Sequence, residues 1–288
     1  MVEAGIWGDR PSGCLTATLH HLVLGTPDPE AMARFYDRAL GYKAERIDGL
    51  LVARAADRRL AFVEGEPKTL RCAGFAVPNI GELDRLRRRI SDAGWPCESG
   101  FTAFFSDAVV VRDPDGTQLC FGLPRAEPEA EGAVSRRQAR LQHVVMASRE
   151  PEPIVRFYVE VLGFTLSDNV LDEQGGLRTS FLRCSAEHHS FAVFKAPREW
   201  FDHHCYEAAD WNAIRDCSDH FSAEHIRLQW GPGRHGPGNN LFVFIHDPDG
   251  NWVEISAELE IVSHDRPLGE WPHEERTLNY WGQGLLRS

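Results

Sequence analysis

The sequence lacks the features of several large classes of protein. No apolar run among its 288 residues approaches the length of a membrane span, which argues against a helical membrane protein. The first residues, MVEAGIWGDRPSG, lack the basic start and the apolar centre of a secretory signal peptide. An excess of positive charge is absent as well, because the formal net charge is −12, and nucleic acid is therefore not expected as the main partner. We expect a cytoplasmic protein.

Neither the number nor the spacing of the cysteines indicates a structural role. Their number is odd and no pair has the CxxC spacing of a zinc site or a redox motif. We therefore expect free and mostly buried thiols in a reducing compartment, not a disulfide framework. The seven cysteines are Cys14, Cys72, Cys97, Cys120, Cys184, Cys205 and Cys217.

The second half of the chain repeats the first. Residues 19–42 (LHHLVLGTPDPEAMARFYDRALGY) align with residues 141–164 (LQHVVMASREPEPIVRFYVEVLGF), which pairs His21 with His143. Near the end of each half, Asp-Pro-Asp-Gly separates two runs of alternating apolar residues, a pattern typical of a hairpin turn. The repeat predicts two homologous domains.

Each half has the same order of predicted elements, a strand, a helix and then several strands, repeated twice. The helical patterns lie at 29–40, 81–94, 152–162 and 210–223. The fold class predicted is α+β, with two tandem domains that each contain two βαβββ modules.

The boundary between the predicted domains falls in PRAEPEAEGAVSRRQA (124–139), which is rich in Pro, Glu, Ala and Arg and has no apolar periodicity. We predict a first domain at 1–125, a linker at 126–140 and a second domain at 141–288.

Histidine is almost missing from the first half. Of 13 histidines, only His20 and His21 precede His143. A single histidine in a strand is more often a packed core residue than a ligand. Here, however, His143, His204 and Glu254 lie on three predicted strands, and two imidazoles with one carboxylate can occupy one face of a metal ion. His203 is the alternative to His204, because adjacent strand residues face opposite ways.

The first half offers a poorer set of ligands at the corresponding positions. Only His21 is retained, while Cys72 stands in the position of His204 and Cys120 in that of Glu254. We therefore predict one metal site, in the second domain, and a non-catalytic first domain.

Several motifs of the second half together resemble the type I extradiol ring-cleavage dioxygenases of the vicinal oxygen chelate superfamily. They are LxH (Leu141, His143), HHSFAVF, HHxxxEAxDW, GPGRHG, HDPDGNWVEI and RTLNYWG (276–282). The resemblance implies the vicinal oxygen chelate fold and Fe(II), less often Mn(II), bound by His143, His204 and Glu254. It also implies a catechol and O2 as substrates, a ring-opened product containing both oxygen atoms, and a homo-oligomer.

The resemblance also assigns roles to two further histidines. Strand alternation leaves His188 and His189 equally possible, and the spacing of the family favours His189 as the acid/base that moves substrate protons. His235, in a glycine-rich loop, would orient a substrate oxygen beside Arg234.

One position departs from the family pattern. Ten residues before the ligand glutamate the family usually has a tyrosine, and this chain has Phe244. Phe244, Arg234 and Trp281 are the predicted substrate-binding residues. Two alternatives stay open, a glyoxalase-like isomerase or lyase and a non-catalytic ligand-binding protein, but neither would need both His189 and His235.

Overall fold

The structure, a computed structural model, describes residues 13–47, 49–126 and 139–286. Within these ranges the chain forms two mixed sheets, one in each half, with helices packed against them. None of the described helices is both long and apolar enough to cross a membrane. All seven cysteines are thiols outside any disulfide, and five of them are buried.

The first sheet has seven strands in the order β2-β3-β4-β1-β5-β7-β6. Its central strand β1 pairs in parallel with β4 and antiparallel with β5. The elements of this half are β1 (Thr18–Thr26), α1 (Pro29–Leu40), β2 (Lys43–Ile47), β3 (Leu50–Ala55), β4 (Arg58–Glu64), β5 (Thr69–Ala76), α2 (Ile80–Asp92), β6 (Phe105–Arg112) and β7 (Gln118–Pro124).

The second sheet has nine strands in the order β13-β14-β15-β12-β8-β11-β10-β9-β16. The elements are β8 (Ala139–Ser148), α3 (Pro151–Arg156), β9 (Thr165–Leu171), β10 (Leu177–Arg183), β11 (Phe191–Lys195), β12 (Trp200–Ala208), α4 (Trp211–Ala223), β13 (Trp230–Arg234), β14 (Leu241–His246), β15 (Trp252–Ala257), β16 (Gly269–Pro272) and α5 (Glu275–Leu278). Helix α3 continues into a π-helical turn at Phe157–Leu162.

The predicted fold class is confirmed, and the four predicted helices are present. Strand β16 and helix α5 were not predicted; they follow the last repeated module and so have no counterpart in the first half. Of the predicted linker, residues 127–138 lie outside the described residues. The domain boundaries therefore stay predictions.

Local sequence explains how the first helix begins and ends. The side chain of Asp28 accepts a hydrogen bond from the backbone N–H of Ala31 at 2.9 Å, and Pro29 takes the first turn, where no helical hydrogen bond is lost. Gly41 ends the helix in the left-handed conformation at φ 72°, which glycine adopts without steric cost.

The two halves share one continuous apolar core. Buried polar contacts join them as well: the Tyr42 hydroxyl donates to the Tyr206 hydroxyl at 2.8 Å. The buried guanidinium of Arg58 donates to the backbone carbonyls of Leu40 (2.6 Å) and Ala139 (2.9 Å), so that it ties β4 of the first half to the start of β8 in the second.

Replacing Arg58 by methionine is expected to lower the free energy of unfolding by about 1–3 kcal/mol, because two buried carbonyls lose their donor. Urea denaturation followed by circular dichroism measures the loss. Arg156→Met is the control, since Arg156 is exposed and surface substitutions usually change stability by less than about 0.5 kcal/mol. Equal midpoints for the two variants would contradict the bridging role.

Candidate active site

Three side chains of the second half bring nitrogen and oxygen atoms together at one point. The Nε2 atoms of His143 and His203 lie 3.2 Å and 3.4 Å from Oε2 of Glu254. The two Nε2 atoms are 3.4 Å from each other. All three residues are buried, and Glu254 is only 1% exposed.

This triangle of atoms fits the ligands of a metal ion. Nitrogen and oxygen ligands lie about 2.0–2.2 Å from a divalent transition metal, so two ligands at right angles are separated by about 3 Å. Sides of 3.2–3.4 Å come close to that value. Two imidazoles and a carboxylate on one face, with the opposite face open, is the arrangement typical of mononuclear non-haem Fe(II) enzymes.

Strand register explains why these side chains meet. Strand β12 lies between β8 and β15, and Cys205 of β12 stands opposite both His143 and Glu254. His203 is two residues from Cys205, and because alternate residues face the same side of a sheet, it points to the same face.

An extra residue precedes each of the two histidines. The pairing of β8 with β12 skips Gln142 in one strand and Asp202 in the other. Such bulges turn a neighbouring side chain and are common beside active sites. Here each skipped residue also contacts the next histidine: Gln142 Oε1 lies 2.5 Å from Nδ1 of His143, and Asp202 Oδ2 lies 2.7 Å from Nδ1 of His203.

These contacts fix the tautomers. An amide oxygen or a carboxylate can only accept, so Nδ1 of each histidine carries the proton. The amide of Gln142 is itself oriented, because its nitrogen donates to the His189 carbonyl at 2.7 Å. Both Nε2 atoms are thereby left with lone pairs directed at Glu254, the form in which imidazole binds a metal.

The prediction of His204 as a ligand is wrong in position, because His204 lies on the opposite face of β12. Its ring is fully buried and stacked on Phe201, and its Nε2 is 3.2 Å from the Tyr36 hydroxyl of the first half. The sequence held a signal for the correct choice. An apolar residue and then a polar residue precede His143 (Leu141, Gln142), and the same holds for His203 (Phe201, Asp202) but not for His204.

Cys205 is a competing ligand for the same place. Its Sγ groups with one atom each of His143 and Glu254 within 4.8 Å. Burial raises the pKa of this thiol well above its ordinary value, so it stays protonated. A ligand thiol must be deprotonated, whereas His203 offers a ready lone pair at 3.4 Å. We therefore assign the third position to His203.

Glu254 is the only carboxylate at the centre of this cluster. Burial alone would raise its pKa, but the neighbouring imidazoles of His143, His203 and His235 outweigh burial and hold the pKa well below its ordinary value. Burial lowers the pKa of His143, which keeps that ring neutral. Burial opposes the charged form of His203, yet Asp202 and Glu254 raise its pKa on balance. The site therefore holds a fixed negative charge that a metal cation would neutralise.

A cavity opens beside this cluster, and both predicted accessory histidines line it. The His189 ring packs against the His143 ring at a centroid distance of 4.3 Å. Nε2 of His235 lies 3.6 Å from Oε1 of Glu254, the oxygen to which Asn240 donates at 3.2 Å. Asn240 was not singled out from the sequence, since a loop asparagine carries no local signal for such a contact.

The rest of the cavity wall is mainly apolar. Phe244 stands opposite Glu254 in the β14–β15 pair and stacks on Trp230 at 5.2 Å between centroids. Its predicted place in the cavity agrees with this geometry, and its role toward a substrate stays a prediction. The further lining residues are Val145, Thr179, Phe181, Ala192, Phe194, Pro237, Thr277, Leu278 and Leu285.

Two predicted substrate-binding residues do not line the cavity. Arg234 turns outward, where it donates to Glu258 (2.7 Å) and to the Asn239 carbonyl (2.6 Å), because it is adjacent in the chain to the inward-facing His235. Trp281 is 54% exposed and lies beneath the Arg234 guanidinium. Both predictions are corrected accordingly.

Among its described residues, the first half has no matching cluster of hard ligands. Val23 and Val145 occupy equivalent positions of the repeat; Val23 pairs with Cys72, and Val145 pairs with His203. Cys72 therefore corresponds to His203, and the predicted match with His204 is wrong. Aromatic rings crowd the remaining histidine: the His21 ring lies 4.4 Å from Phe104 and 5.1 Å from Phe105 between centroids. Packed side chains fill this face of the first sheet.

Comparison with known proteins identifies the family. The model of the Glyoxalase/Bleomycin resistance protein/Dioxygenase superfamily matches residues 18–121 and 140–255. The chain belongs to this superfamily; the first matched segment spans the first sheet, and the second spans β8 to β15 of the second sheet.

Curated relatives over nearly the full length are extradiol dioxygenases. Metapyrocatechase 2 of Cupriavidus necator is 27% identical over 92% of this chain and 88% of its own. Biphenyl-2,3-diol 1,2-dioxygenase of Pseudomonas sp. (strain KKS102) is 30% identical over 89% and 96%. An iron-dependent extradiol dioxygenase of Rhodococcus jostii (strain RHA1) is 26% identical over 78% and 81%.

A solved structure shows the same fold. Homoprotocatechuate 2,3-dioxygenase from Brevibacterium fuscum, in its anaerobic complex with 3,4-dihydroxyphenylacetate, superposes with a TM-score of 0.81 at 22% identity, over 96% of this chain and 93% of that chain.

The neighbours His203 and His204 allow a direct test of the ligand assignment. His203→Ala is expected to reduce the bound Fe(II) at least about tenfold, because one of three ligands is lost. His204→Ala should keep its metal, although it removes a buried ring and lowers the melting temperature. Metal analysis after dialysis against Fe(II) under nitrogen measures both. Retained iron in the His203 variant, with iron lost from the His204 variant, would restore the original assignment.

Proposed function

We propose that this protein cleaves the ring of a catechol beside its two hydroxyl groups, with O2 as co-substrate, at a mononuclear Fe(II) site formed by His143, His203 and Glu254. One observation carries the proposal. The Nε2 atoms of His143 and His203 and the Oε2 atom of Glu254 lie 3.2–3.4 Å from one another and face a cavity that His189 and His235 also line. The names of the relatives support the same reaction.

The residues that would hold the metal also suit its chemistry. A bound Fe(II) would bring a diol and O2 together and let electron density pass between them. Nitrogen and carboxylate ligands also accept Mn(II), so the ligand set leaves Mn(II) as the second choice. The single negative charge of Glu254 offsets only part of a divalent charge, so an anionic catecholate is a favourable partner.

His189 is the residue we assign to proton transfer. Burial holds its pKa well below its ordinary value, so the ring is neutral and able to accept a proton from a catechol hydroxyl. The ring packs on His143, which places it beside the site where the diol would bind. The same group could return the proton as the ring opens.

His235 has a different orientation and a different role. Its Nδ1 lies 2.6 Å from the carbonyl oxygen of Leu278 and must carry the proton, which leaves a lone pair on Nε2 toward Glu254 and the cavity. The ring stacks on Phe242 at 3.9 Å between centroids, so it is held rigidly. We propose that Nε2 accepts a hydrogen bond from a substrate hydroxyl and fixes the orientation of the diol.

The cavity wall favours a catechol with an uncharged substituent. Among the described residues that line it, none is lysine or arginine. A carboxylate on the substrate would lose its hydration without gaining a partner, which is costly in an apolar cavity. We therefore propose that alkyl- and aryl-substituted catechols are better substrates than catechols carrying a carboxylate.

Oxygen uptake tests the proposal. The Fe(II)-loaded protein is expected to consume O2 with catechol, 4-methylcatechol or 3-phenylcatechol, and to form a yellow ring-opened product. With 3,4-dihydroxyphenylacetate, kcat/KM should be at least about tenfold lower, the effect of about 1.4 kcal/mol in the transition state. Glu254→Gln removes the anionic ligand and should abolish uptake. Absence of uptake with every catechol at full iron occupancy would disprove ring cleavage.

Phe244→Tyr tests how the substrate lies in the cavity. The new hydroxyl would stand beside Glu254 and the diol, and a hydrogen bond to a charged group contributes about 1.5–3 kcal/mol. We expect the preference for catechol over 3-phenylcatechol, measured as the ratio of kcat/KM, to rise about tenfold, because the hydroxyl helps the small ring and crowds the large one. Phe101→Tyr is the control, since Phe101 lies in the first half, is partly buried and does not line the cavity. An unchanged ratio in the Phe244 variant would show that position 244 does not face the diol.

A further inference from the structure

A second row of buried polar groups lies behind His189, away from the cavity. Nδ1 of His189 is 3.1 Å from Nδ1 of His188, and the two rings are nearly perpendicular. Nε2 of His188 lies 3.0 Å from Oδ2 of Asp168. Both Asp168 and His188 are completely buried. The sequence left His188 and His189 as alternatives, and the structure gives each its own place.

Asp168 belongs to strand β9, and its partners come from the C-terminal segment that follows the repeated modules. Arg266 Nη1 donates to Oδ1 at 2.7 Å, and Trp271 Nε1 donates to Oδ2 at 2.7 Å. Gly269 of β16 stands opposite Asp168, and a Cβ at that position would lie 2.2 Å from Oδ1. The chain thus closes tightly over this carboxylate.

The donors around Asp168 determine its charge state. Burial opposes ionisation, but the contacts with His188, Arg266 and Trp271 outweigh it and lower the pKa of Asp168 to about 2. Arg266 already balances the negative charge of Asp168. An ionised carboxylate only accepts, which places the single proton of a neutral His188 on Nε2.

The nitrogen of His188 that carries the proton determines which nitrogen of His189 carries one. Nε2 of His188 makes no hydrogen bond of full geometric quality, but it lies 3.0 Å from Oδ2 of Asp168, an ion-pair distance. Nδ1 of His188 then has a lone pair. The contact of 3.1 Å to Nδ1 of His189 requires a proton between the two atoms, and His189 must supply it.

We propose that Asp168 and His188 are positioning residues that hold His189 in the Nδ1–H tautomer, with the unprotonated Nε2 available to the substrate in the cavity. This inference rests on the proposed function, in which His189 accepts a substrate proton. It gives the C-terminal segment a role in the same step, because Arg266 and Trp271 hold Asp168 while Leu278 holds His235. The two cavity histidines are therefore oriented from one segment.

A merely structural role is the alternative to be excluded. The same contacts could serve only to hold β16 against β9. In that case kcat would not depend on whether residue 188 offers His189 a hydrogen-bond acceptor. Asparagine and leucine at position 188 separate the two roles. Neither side chain reaches Asp168 as Nε2 does, but the asparagine oxygen can take the place of the Nδ1 lone pair and leucine cannot.

The kinetic experiment compares the Fe(II)-loaded wild-type protein with His188→Asn and His188→Leu, using the catechol that gives the highest uptake. We expect kcat of the leucine variant to fall about 10–100-fold, the usual effect of losing such a supporting contact. KM and iron content should stay near wild type, and the asparagine variant should keep at least about ten times the kcat of the leucine variant. Equal losses in both variants, or no loss in either, would overturn the proposal.

A spectroscopic measurement tests the tautomer without relying on turnover. In the full-length protein labelled with 15N-histidine and loaded with diamagnetic Zn(II), long-range proton–nitrogen spectra distinguish the two neutral tautomers, and His189→Gln identifies the His189 signals. We expect Nδ1–H and an unprotonated Nε2 in wild type, and a mixture of tautomers in His188→Leu. A wild-type His189 protonated on Nε2 would disprove the inference even if ring cleavage holds. The expected spectrum without oxygen uptake would disprove the proposed reaction instead.

Discussion

The buried carboxylate of Glu254 is the constraint on which the site depends. A charge that is only 1% exposed is costly unless partners surround it. Here two Nε2 atoms lie within 3.4 Å of one oxygen, and Asn240 donates to the other at 3.2 Å. Neutral imidazoles cannot balance a full negative charge, so a metal cation is the natural complement. Removing any member of this group therefore leaves a buried charge with too few partners.

His143 and His203 reach Glu254 through the same structural device. In both β8 and β12 an extra residue precedes the histidine and contacts its Nδ1. Because β8 and β12 begin equivalent modules of the repeat, the bulge and the contact recur together. The extra residue thus turns the histidine toward the centre and also fixes its tautomer.

Much of this structure could be predicted from the sequence, and the failures have a common physical cause. Apolar periodicity identified the four main helices, and the repeat predicted two homologous sheets. His143, His189, His235, Glu254 and Phe244 were singled out and do meet at one cavity. The choice between His203 and His204 failed because one inserted residue reverses which side of a strand faces the cavity, and periodicity does not locate a bulge. The outward turn of Arg234 depends on Glu258, a partner whose proximity only the folded chain reveals.

The two faces of β12 explain how the first half can matter to the site. His203 points to the cavity, while His204 points back to the first half and meets the Tyr36 hydroxyl at 3.2 Å. The same hydroxyl donates to Asp247 at 3.1 Å, in the turn that leads into the strand carrying Glu254. One tyrosine of α1 therefore contacts β12, which carries His203, and the turn that leads into the strand carrying Glu254. Since ligand distances must hold to a few tenths of an ångström, the first half acts as a rigid support for the second.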